Sequence, residues 1–179
     1  MEVHMNIKKI AFAAVIAAVY AVLTMVLAPI SYGAVQMRLS ELLCILPFFF
    51  PACTAGLFIG CLISKLLSAF GILDIVFGSM ATLIAALITM YMGKISRKSI
   101  ITKIIACLAP VVCNAVIVGG IIAFSTVPGE GFLPAFLLNA LQVGVGEFVV
   151  TFVVGLPTML LIPKTDVFKK LSAQLGDIK

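Results

Sequence analysis

The sequence predicts an all-α integral membrane protein with six transmembrane helices, both termini in the cytoplasm and a short second helix. Of its 179 residues, 63% are hydrophobic and only 11% are charged, and the mean hydropathy is +1.29. This composition is too apolar for a soluble domain. The net charge of +5 is concentrated in short clusters at the ends of apolar runs, as is typical of cytoplasmic loops.

The basic clusters predict the orientation. Two adjacent lysines lie in the segment 1–9, four basic residues lie in 94–103, and four lysines lie in 164–179. Because positive charge marks the cytoplasmic side, the segments 1–9 and 164–179 are predicted to be cytoplasmic tails. The whole chain, 1–179, is predicted to form a single transmembrane domain.

The first helix, from about Ile10 to Leu27, carries a strip of small residues. These are Ala13, Ala14, Ala17, Ala18 and Ala21. Small residues at four-residue spacing let another helix approach closely in lipid. Two uses of the strip stay open, namely packing within this protein and docking onto a separate membrane subunit.

The second helix is predicted to be short, from Ser40 to Phe50, and to end in a turn at Pro51. A single span over 39–64 would place the basic loop 94–103 outside, against the positive-inside bias. Eleven residues of helix cover about 16 Å, whereas the membrane core is about 30 Å thick. The short helix must therefore be shielded by neighbouring helices or begin deep in the membrane.

The later helices follow from the remaining apolar runs. They are predicted from the Pro51 turn to about Phe70, from about Asp74 to Met92, from about Ile104 to Phe124 and from about Pro134 to Ile162. The sixth run is longer than a perpendicular span needs, so it should tilt or bend near Gly144 and Gly146. Outward-facing loops are predicted at 29–39, 69–73 and 125–133.

Polar side chains are concentrated in the predicted outer halves of the spans, which indicates a pocket that opens outward. The candidates are Tyr32, Gln36, Arg38, Glu41, Asp74, Asn114, Asn139, Gln142 and Glu147. The last helix places Asn139, Gln142 and Glu147 within an arc of about 140°, so they can face one cavity. The polar segment 29–41 contributes four candidates and is the predicted centre of the site.

Each ionisable group also has a structural alternative. Arg38 and Glu41 could form a salt bridge at a helix start, where Ser40 and Glu41 could cap the first turn. Asp74 could cap the fourth helix. Glu147 could pair with Lys65 or accept a hydrogen bond from an amide, and Lys65 is expected to extend to the outer interface. The five cysteines are predicted to be small buried hydrophobic residues rather than ligands or disulfides.

The sequence does not predict an enzyme or a nucleic-acid-binding protein. It contains no GxxxxGK[ST] loop, no HExxH motif and no nucleophile elbow, and it has one histidine. No basic face can be built for nucleic acid. A few amides and charges in an apolar bundle favour recognition of a small polar molecule, without a metal or cofactor.

Four segments resemble the QueT family, which comprises the predicted queuosine-precursor transporters among the substrate-binding (S) components of energy-coupling factor (ECF) transporters. They are Y-A-V-L-T at 20–24, S-Y-G-A-V-Q-M-R-L-S-E-L-L-C-I-L-P at 31–47, G-I-L-D-I-V-F-G-S-M-A-T-L at 71–83 and V-G-E at 145–147. The resemblance implies six helices in a prokaryotic cell membrane and a pocket under outward-facing loops. It also implies that the alanine strip docks on a membrane coupling subunit and that two separate cytoplasmic ATPases drive transport.

The resemblance further implies a 7-deazaguanine ligand such as preQ1, preQ0 or queuine. One carboxylate can accept the two adjacent donors of such a ring, with Glu147 as first choice and Glu41 as second. Tyr32 or Phe132 could stack on the ring. An S component for another vitamin and a solitary proton-coupled carrier, with Glu147 and Asp74 as relay groups, are the alternatives, and a scaffold without a ligand is a third.

Overall fold

The computed structural model describes residues 7–32, 36–127, 129 and 131–175, and these residues are helical or lie in turns and short connections, without a strand. The elements are α1 (Ile7–Val26), the 3-10 helix α2 (Leu39–Phe48), α3 (Cys53–Lys65), α4 (Gly71–Ile95), α5 (Ile100–Thr126), α6 (Phe132–Lys164) and α7 (Asp166–Leu175). A single helical turn, Ala28–Ser31, follows α1. The prediction of an all-α fold is confirmed.

Four of the described helices, α1, α4, α5 and α6, are long and apolar enough to cross a membrane. The protein is therefore a multi-pass membrane protein. The helix ends lie within about five residues of their predicted positions, and the largest difference is at the end of α3, which ends at Lys65 rather than Phe70. Six spans with both termini inside, forming one domain over 1–179, stay a prediction. The predicted tails and the loops at 29–39 and 125–133 lie partly outside the described residues.

The predicted short helix is present as α2, and the shielding expected for it is confirmed. It packs against α4 and α1, and Cys44, Ile45 and Phe48 are at most 2% exposed. Pro47 lies within the helix and supplies no backbone N–H, which is one reason why an α-helical pattern is not continued here. The tighter 3-10 winding gives α2 about 2.0 Å of rise per residue.

The first helix packs tightly on α3 through small residues. A Cβ atom added at Gly56 would overlap the backbone carbonyl of Ala13, and one added at Gly60 would overlap that of Ala17. Part of the alanine strip is thus used within the protein, where Ala17 and Ala21 are buried. The other side of the strip, Ala14 and Ala18, is exposed.

Two long helices contain π-helical segments. One covers Asp74–Gly78 near the start of α4, and the other covers Phe148–Val154 in the middle of α6. The irregularity in α6 therefore lies just beyond Gly144 and Gly146, where the sequence had suggested a bend. π-helical segments are rare in proteins overall, and those that occur are often found at functional sites.

The two ends of the bundle differ in character. At one end, the rings of Phe12, Phe50 and Phe168 meet with centroids 5.6 Å and 5.2 Å apart, which ties the start of α1, the turn after α2 and α7 together. The basic loop between α4 and α5 lies at this same end, since Arg97 lines a pocket with Phe168. The buried polar residues described next lie towards the opposite end.

Candidate substrate-binding site

Three donors converge on the buried carboxylate of Glu41. Its Oε1 accepts hydrogen bonds from the Tyr20 hydroxyl at 2.5 Å and from the Thr82 hydroxyl at 3.0 Å, and its Oε2 accepts one from the Cys44 thiol at 2.9 Å. Glu41 is 0% exposed. Since the donors come from α1, α4 and α2, this carboxylate holds three elements together and has much of its accepting capacity filled.

The segment before α2 is organised by Arg38. Its guanidinium donates to the Gln36 side-chain oxygen at 2.7 Å and to the Ser31 backbone oxygen at 3.5 Å. The suggested bridge from Arg38 to Glu41 is not formed. The suggested helix cap is wrong as well, because α2 has no side-chain cap and Ser40 instead bonds Thr24 on α1, with 2.6 Å between the hydroxyl oxygens.

A buried ion pair joins α3 to α4. The Lys65 ammonium lies 2.5 Å from Asp74 Oδ1, and each side chain is 1% exposed. The Ser68 hydroxyl donates to Asp74 Oδ2 at 2.6 Å. Gly78 leaves room for the pair, since a Cβ atom there would overlap both charged groups.

This pair corrects three expectations. Lys65 does not extend to the outer interface, because a carboxylate on the next helix is available to it inside the bundle. It pairs with Asp74 rather than Glu147. Asp74 does not cap a helix, because α4 begins three residues earlier and carries Asp74 within its first turns.

Asn114 on α5 and Glu147 on α6 are buried without the partners that such groups normally have. Asn114 is 0% exposed and Glu147 is 1% exposed. Both polar atoms of the Asn114 amide, and the Glu147 Oε2 atom, form no hydrogen bond with any described residue. The two side chains are close neighbours, although neither polar atom of the Asn114 amide reaches hydrogen-bonding geometry with a described residue. Buried polar groups of this kind are uncommon in native proteins.

The charged side chains form one electrostatic cluster around these two residues. Arg38, Glu41 and Lys65 are the charged neighbours of Glu147, and Asp74 is a neighbour of Arg38. We call these five ionisable groups and Asn114 the polar cluster. Within the described residues, no group of three metal-binding side chains is found. The charged and amide side chains of the polar cluster are of the kinds that recognise a molecule through hydrogen bonds and charge.

The remaining candidates lie at the edge of the polar cluster or outside it. Gln36 is buried beside Arg38, and its φ of 45° is a left-handed conformation unusual for a side chain of its kind. The half-buried Tyr32 donates its hydroxyl to the Ser64 backbone oxygen. Asn139 bonds the backbone of its own helix, and Gln142 is half-buried, so only Glu147 of the predicted arc is fully buried.

Sequence reasoning did not identify Tyr20, Thr24 and Thr82 as site residues. Each is at most 1% exposed and bonds a residue of the polar segment before or within α2. A weak signal was present, since Tyr20 and Thr24 are four residues apart in an otherwise apolar run and therefore share one helix face. The four buried cysteines are small core residues as predicted, although Cys44 also acts as a donor to Glu41.

Comparison with known proteins gives one family and one relative. The model of the family described as QueT transporter matches residues 10–164. A protein named Queuosine precursor transporter QueT, from Lactococcus lactis subsp. cremoris (strain MG1363), is 42% identical over 73 residues. The match covers 40% of this chain and 43% of that protein, which is less than half the length of the relative. No solved structure matches the chain.

Proposed function

The chain belongs to the QueT transporter family, and on that premise we propose that it is the substrate-binding subunit of an ECF-type importer. In this proposal it captures a queuosine precursor, a 7-deazaguanine such as preQ1, preQ0 or queuine, outside the cell and delivers it to the cytoplasm. The substrate class is supported by the printed name of the Lactococcus lactis relative. The chemistry of the polar cluster supports it independently.

The carrying observation is the buried pair Asn114 and Glu147. Both polar atoms of the Asn114 amide and the Oε2 atom of Glu147 lack hydrogen-bond partners among the described residues. Leaving a buried donor or acceptor unpaired costs about 1–3 kcal/mol per group. A ligand that pairs with them recovers this cost on binding. The unpartnered atoms therefore identify the part of the polar cluster that is directed at a ligand.

The other two carboxylates of the polar cluster are engaged by the protein itself. Glu41 accepts from three side chains, and Asp74 accepts from Lys65 and Ser68. Glu147 retains a free oxygen. We therefore assign Glu147 to the adjacent N1–H and exocyclic amine donors of the deazaguanine ring, and Glu41 to a supporting role.

The amide of Asn114 complements this carboxylate. An amide offers both a donor and an acceptor, so it can bond the ring carbonyl that lies beside the N1–H group. In this arrangement the two residues read three neighbouring positions on one edge of the heterocycle. An adenine-type edge, which has an acceptor where guanine has the N1–H donor, would leave the carboxylate without a partner.

The charge of the polar cluster favours a cationic precursor within this class. Glu41, Asp74 and Glu147 carry three negative charges when ionised, and Arg38 and Lys65 carry two positive charges, so the sum is −1. The charged aminomethyl group of preQ1 would neutralise the cluster. The neutral nitrile of preQ0 would not, and for this reason we place the aminomethyl-bearing preQ1 and queuine ahead of preQ0.

A groove on the membrane-facing surface supports docking of a coupling subunit. It lies between α1 and α3, has a volume of about 410 Å³ and is lined largely by small residues, among them Ala14, Ala18 and Ala55. Small walls permit close approach of another helix in lipid. We propose that the membrane coupling subunit docks here and that two cytoplasmic ATPases supply the energy for inward release.

Thermal stability of the purified chain tests the ligand. The chain is heated in detergent with preQ1, preQ0, queuine, guanine, riboflavin or thiamine added separately. Binding to the folded state alone adds about 2.7 kcal/mol at a hundredfold excess over Kd. We expect a shift with preQ1 that is lost in Glu147→Gln and kept in Asp166→Asn, which alters an exposed carboxylate on α7. If riboflavin or thiamine raised the thermal stability and no deazaguanine did, the substrate assignment would be wrong.

A second experiment tests the docking groove separately. Ala14→Trp would fill the groove and should prevent co-purification with the coupling subunit while the preQ1 shift is kept. Leu137→Trp, on the exposed surface of α6, serves as the matched control and should co-purify normally. Uptake by the chain alone in liposomes under a pH gradient would instead favour a solitary proton-coupled carrier.

A further inference from the structure

A basic pocket lies at the end of the bundle opposite the polar cluster. Its volume is about 460 Å³. It forms where the loop between α4 and α5 and the last turn of α6 meet the turn after α2 and α7. The side chains that define it are Arg97, Lys98, Lys103, Lys164, Phe49 and Phe168. No acidic residue is among the described residues that line it, so its charge is strongly positive.

The basic residues of the pocket mark the boundary of the apolar bundle. Lys98 lies in the connection between α4 and α5, Lys103 lies in the first turn of α5, and Lys164 is the last residue of α6. Beside them, the helix surfaces are apolar and open, since Ile101 is 65% exposed and Leu161 is 59% exposed. Cations at such a boundary lie at the depth of lipid headgroups, and the surfaces beside them face acyl chains.

We propose that this pocket binds the headgroup of an anionic phospholipid from the adjacent leaflet. The lipid phosphate would lie among Lys98, Lys103 and Lys164, and the first acyl methylenes would pack on Leu160, which lines the pocket and is 41% exposed. Basic pockets between transmembrane helices are suited to such headgroups. The exposed apolar surface beside the cations distinguishes this site from a simple phosphate site, because a soluble anion would leave Leu160, Leu161 and Ile101 uncovered while lipid acyl chains cover them.

The bound lipid would also fasten α7 to the bundle. Phe168 belongs to α7, and its ring packs against Phe49 and Phe50 with centroid distances of 5.1 Å and 5.2 Å. Both Phe49 and Phe168 line the pocket, so a lipid held in it lies at the junction between α7 and the turn after α2. Anionic lipid should therefore raise the stability of the folded chain rather than merely adsorb to its surface.

Binding by the full chain in an uncharged detergent tests the proposal. Phosphatidylglycerol, phosphatidylcholine, glycerol 3-phosphate and a poly-glutamate peptide are added separately, and bound mass and thermal stability are measured. We expect phosphatidylglycerol alone to remain bound to the chain and to raise its thermal stability. The variant K98Q/K103Q/K164Q should bind it about a hundredfold more weakly, since each lysine near an anionic surface contributes about a fivefold change. The variant K98R/K103R/K164R keeps the charges and should bind phosphatidylglycerol as the unaltered chain does.

Matched substitutions distinguish binding of the lipid in this pocket from general electrostatic attraction to the basic end of the protein. K8Q/K169Q/K170Q removes three lysines from the same end but outside the pocket lining, and it should retain binding within about fivefold. An equal loss in this variant would overturn the pocket. Equal binding of glycerol 3-phosphate would indicate a soluble phosphate site, and preferential binding of the peptide would indicate a protein-docking surface, so either result would also overturn the proposal.

Discussion

Breaking the buried ion pair between Lys65 and Asp74 should destabilise the protein strongly. The pair has an N–O distance of 2.5 Å, and each side chain is 1% exposed. Lys65→Met leaves the Asp74 carboxylate with the Ser68 hydroxyl as its remaining bond among the described residues. Removing one partner of a buried pair costs about 3–5 kcal/mol, because the other charge stays buried without compensation. We expect a loss of this size, measured as the free energy of unfolding in detergent micelles.

The chain contains a matched control in α7. Lys169 and Asp166 form the same kind of pair at 3.3 Å, but their side chains are 63% and 88% exposed. Water already solvates both charges there, so Lys169→Met should cost at most about 1 kcal/mol. The difference between the two lysine substitutions isolates the effect of burial.

A double substitution completes the test. Replacing both members of a buried pair by apolar residues of similar volume is often close to neutral, so K65M/D74L should be more stable than Lys65→Met alone. The coupling energy from the double-mutant cycle should then amount to several kcal/mol, at or above the ~0.5–3 kcal/mol usual for contacting residues. A loss below about 1 kcal/mol for Lys65→Met, or a double variant as unstable as the sum of its singles, would refute the reasoning.

Four further substitutions, one of them a control, test three separate contacts. Gly56→Val would place side-chain atoms in the backbone of α1 and should cost about 1–3 kcal/mol or more in the unfolding assay, whereas Gly120→Ala meets only ordinary contacts and should be neutral or stabilising. Tyr20→Phe removes a donor to the Glu41 carboxylate and should cost about 1.5–3 kcal/mol; a change below 0.5 kcal/mol on the scale of ordinary surface substitutions would contradict this. Asn114→Leu removes two buried atoms without partners, so the ligand-free chain should be at least as stable while the thermal shift with preQ1 disappears; an unchanged shift would contradict the role of Asn114.

Much of the fold was predictable because the membrane restricts what a chain can form. A backbone in lipid must satisfy its own hydrogen bonds, so apolar runs form helices and charged clusters end them. The shielded position of α2 also followed from its length and from the charge of the loop 94–103. Its 3-10 winding and the π segments of α4 and α6 did not, because they depend on small differences in packing between helices.

The grouping of the buried polar residues was predictable in part of its membership but not in its pairing. Composition alone identified Arg38, Glu41, Asp74, Asn114 and Glu147, because polar groups in an apolar chain are few. Their partners depend on which helix faces meet, and the sequence does not contain that information locally. Lys65 was misplaced for this reason, since snorkelling is its expected behaviour only when no buried carboxylate lies within reach.

The aromatic cluster at the basic end has an electrical consequence. Phe12, Phe50 and Phe168 close that end with apolar rings, and an apolar layer of this kind carries part of the transmembrane voltage. In the proposed orientation the polar cluster lies on the outer side of this voltage drop. A full crossing is worth about 2.3 kcal/mol per unit charge at 100 mV. Under the proposed function, a cationic ligand at the polar cluster would still have this layer to cross, so part of the electrical work would belong to release rather than to capture.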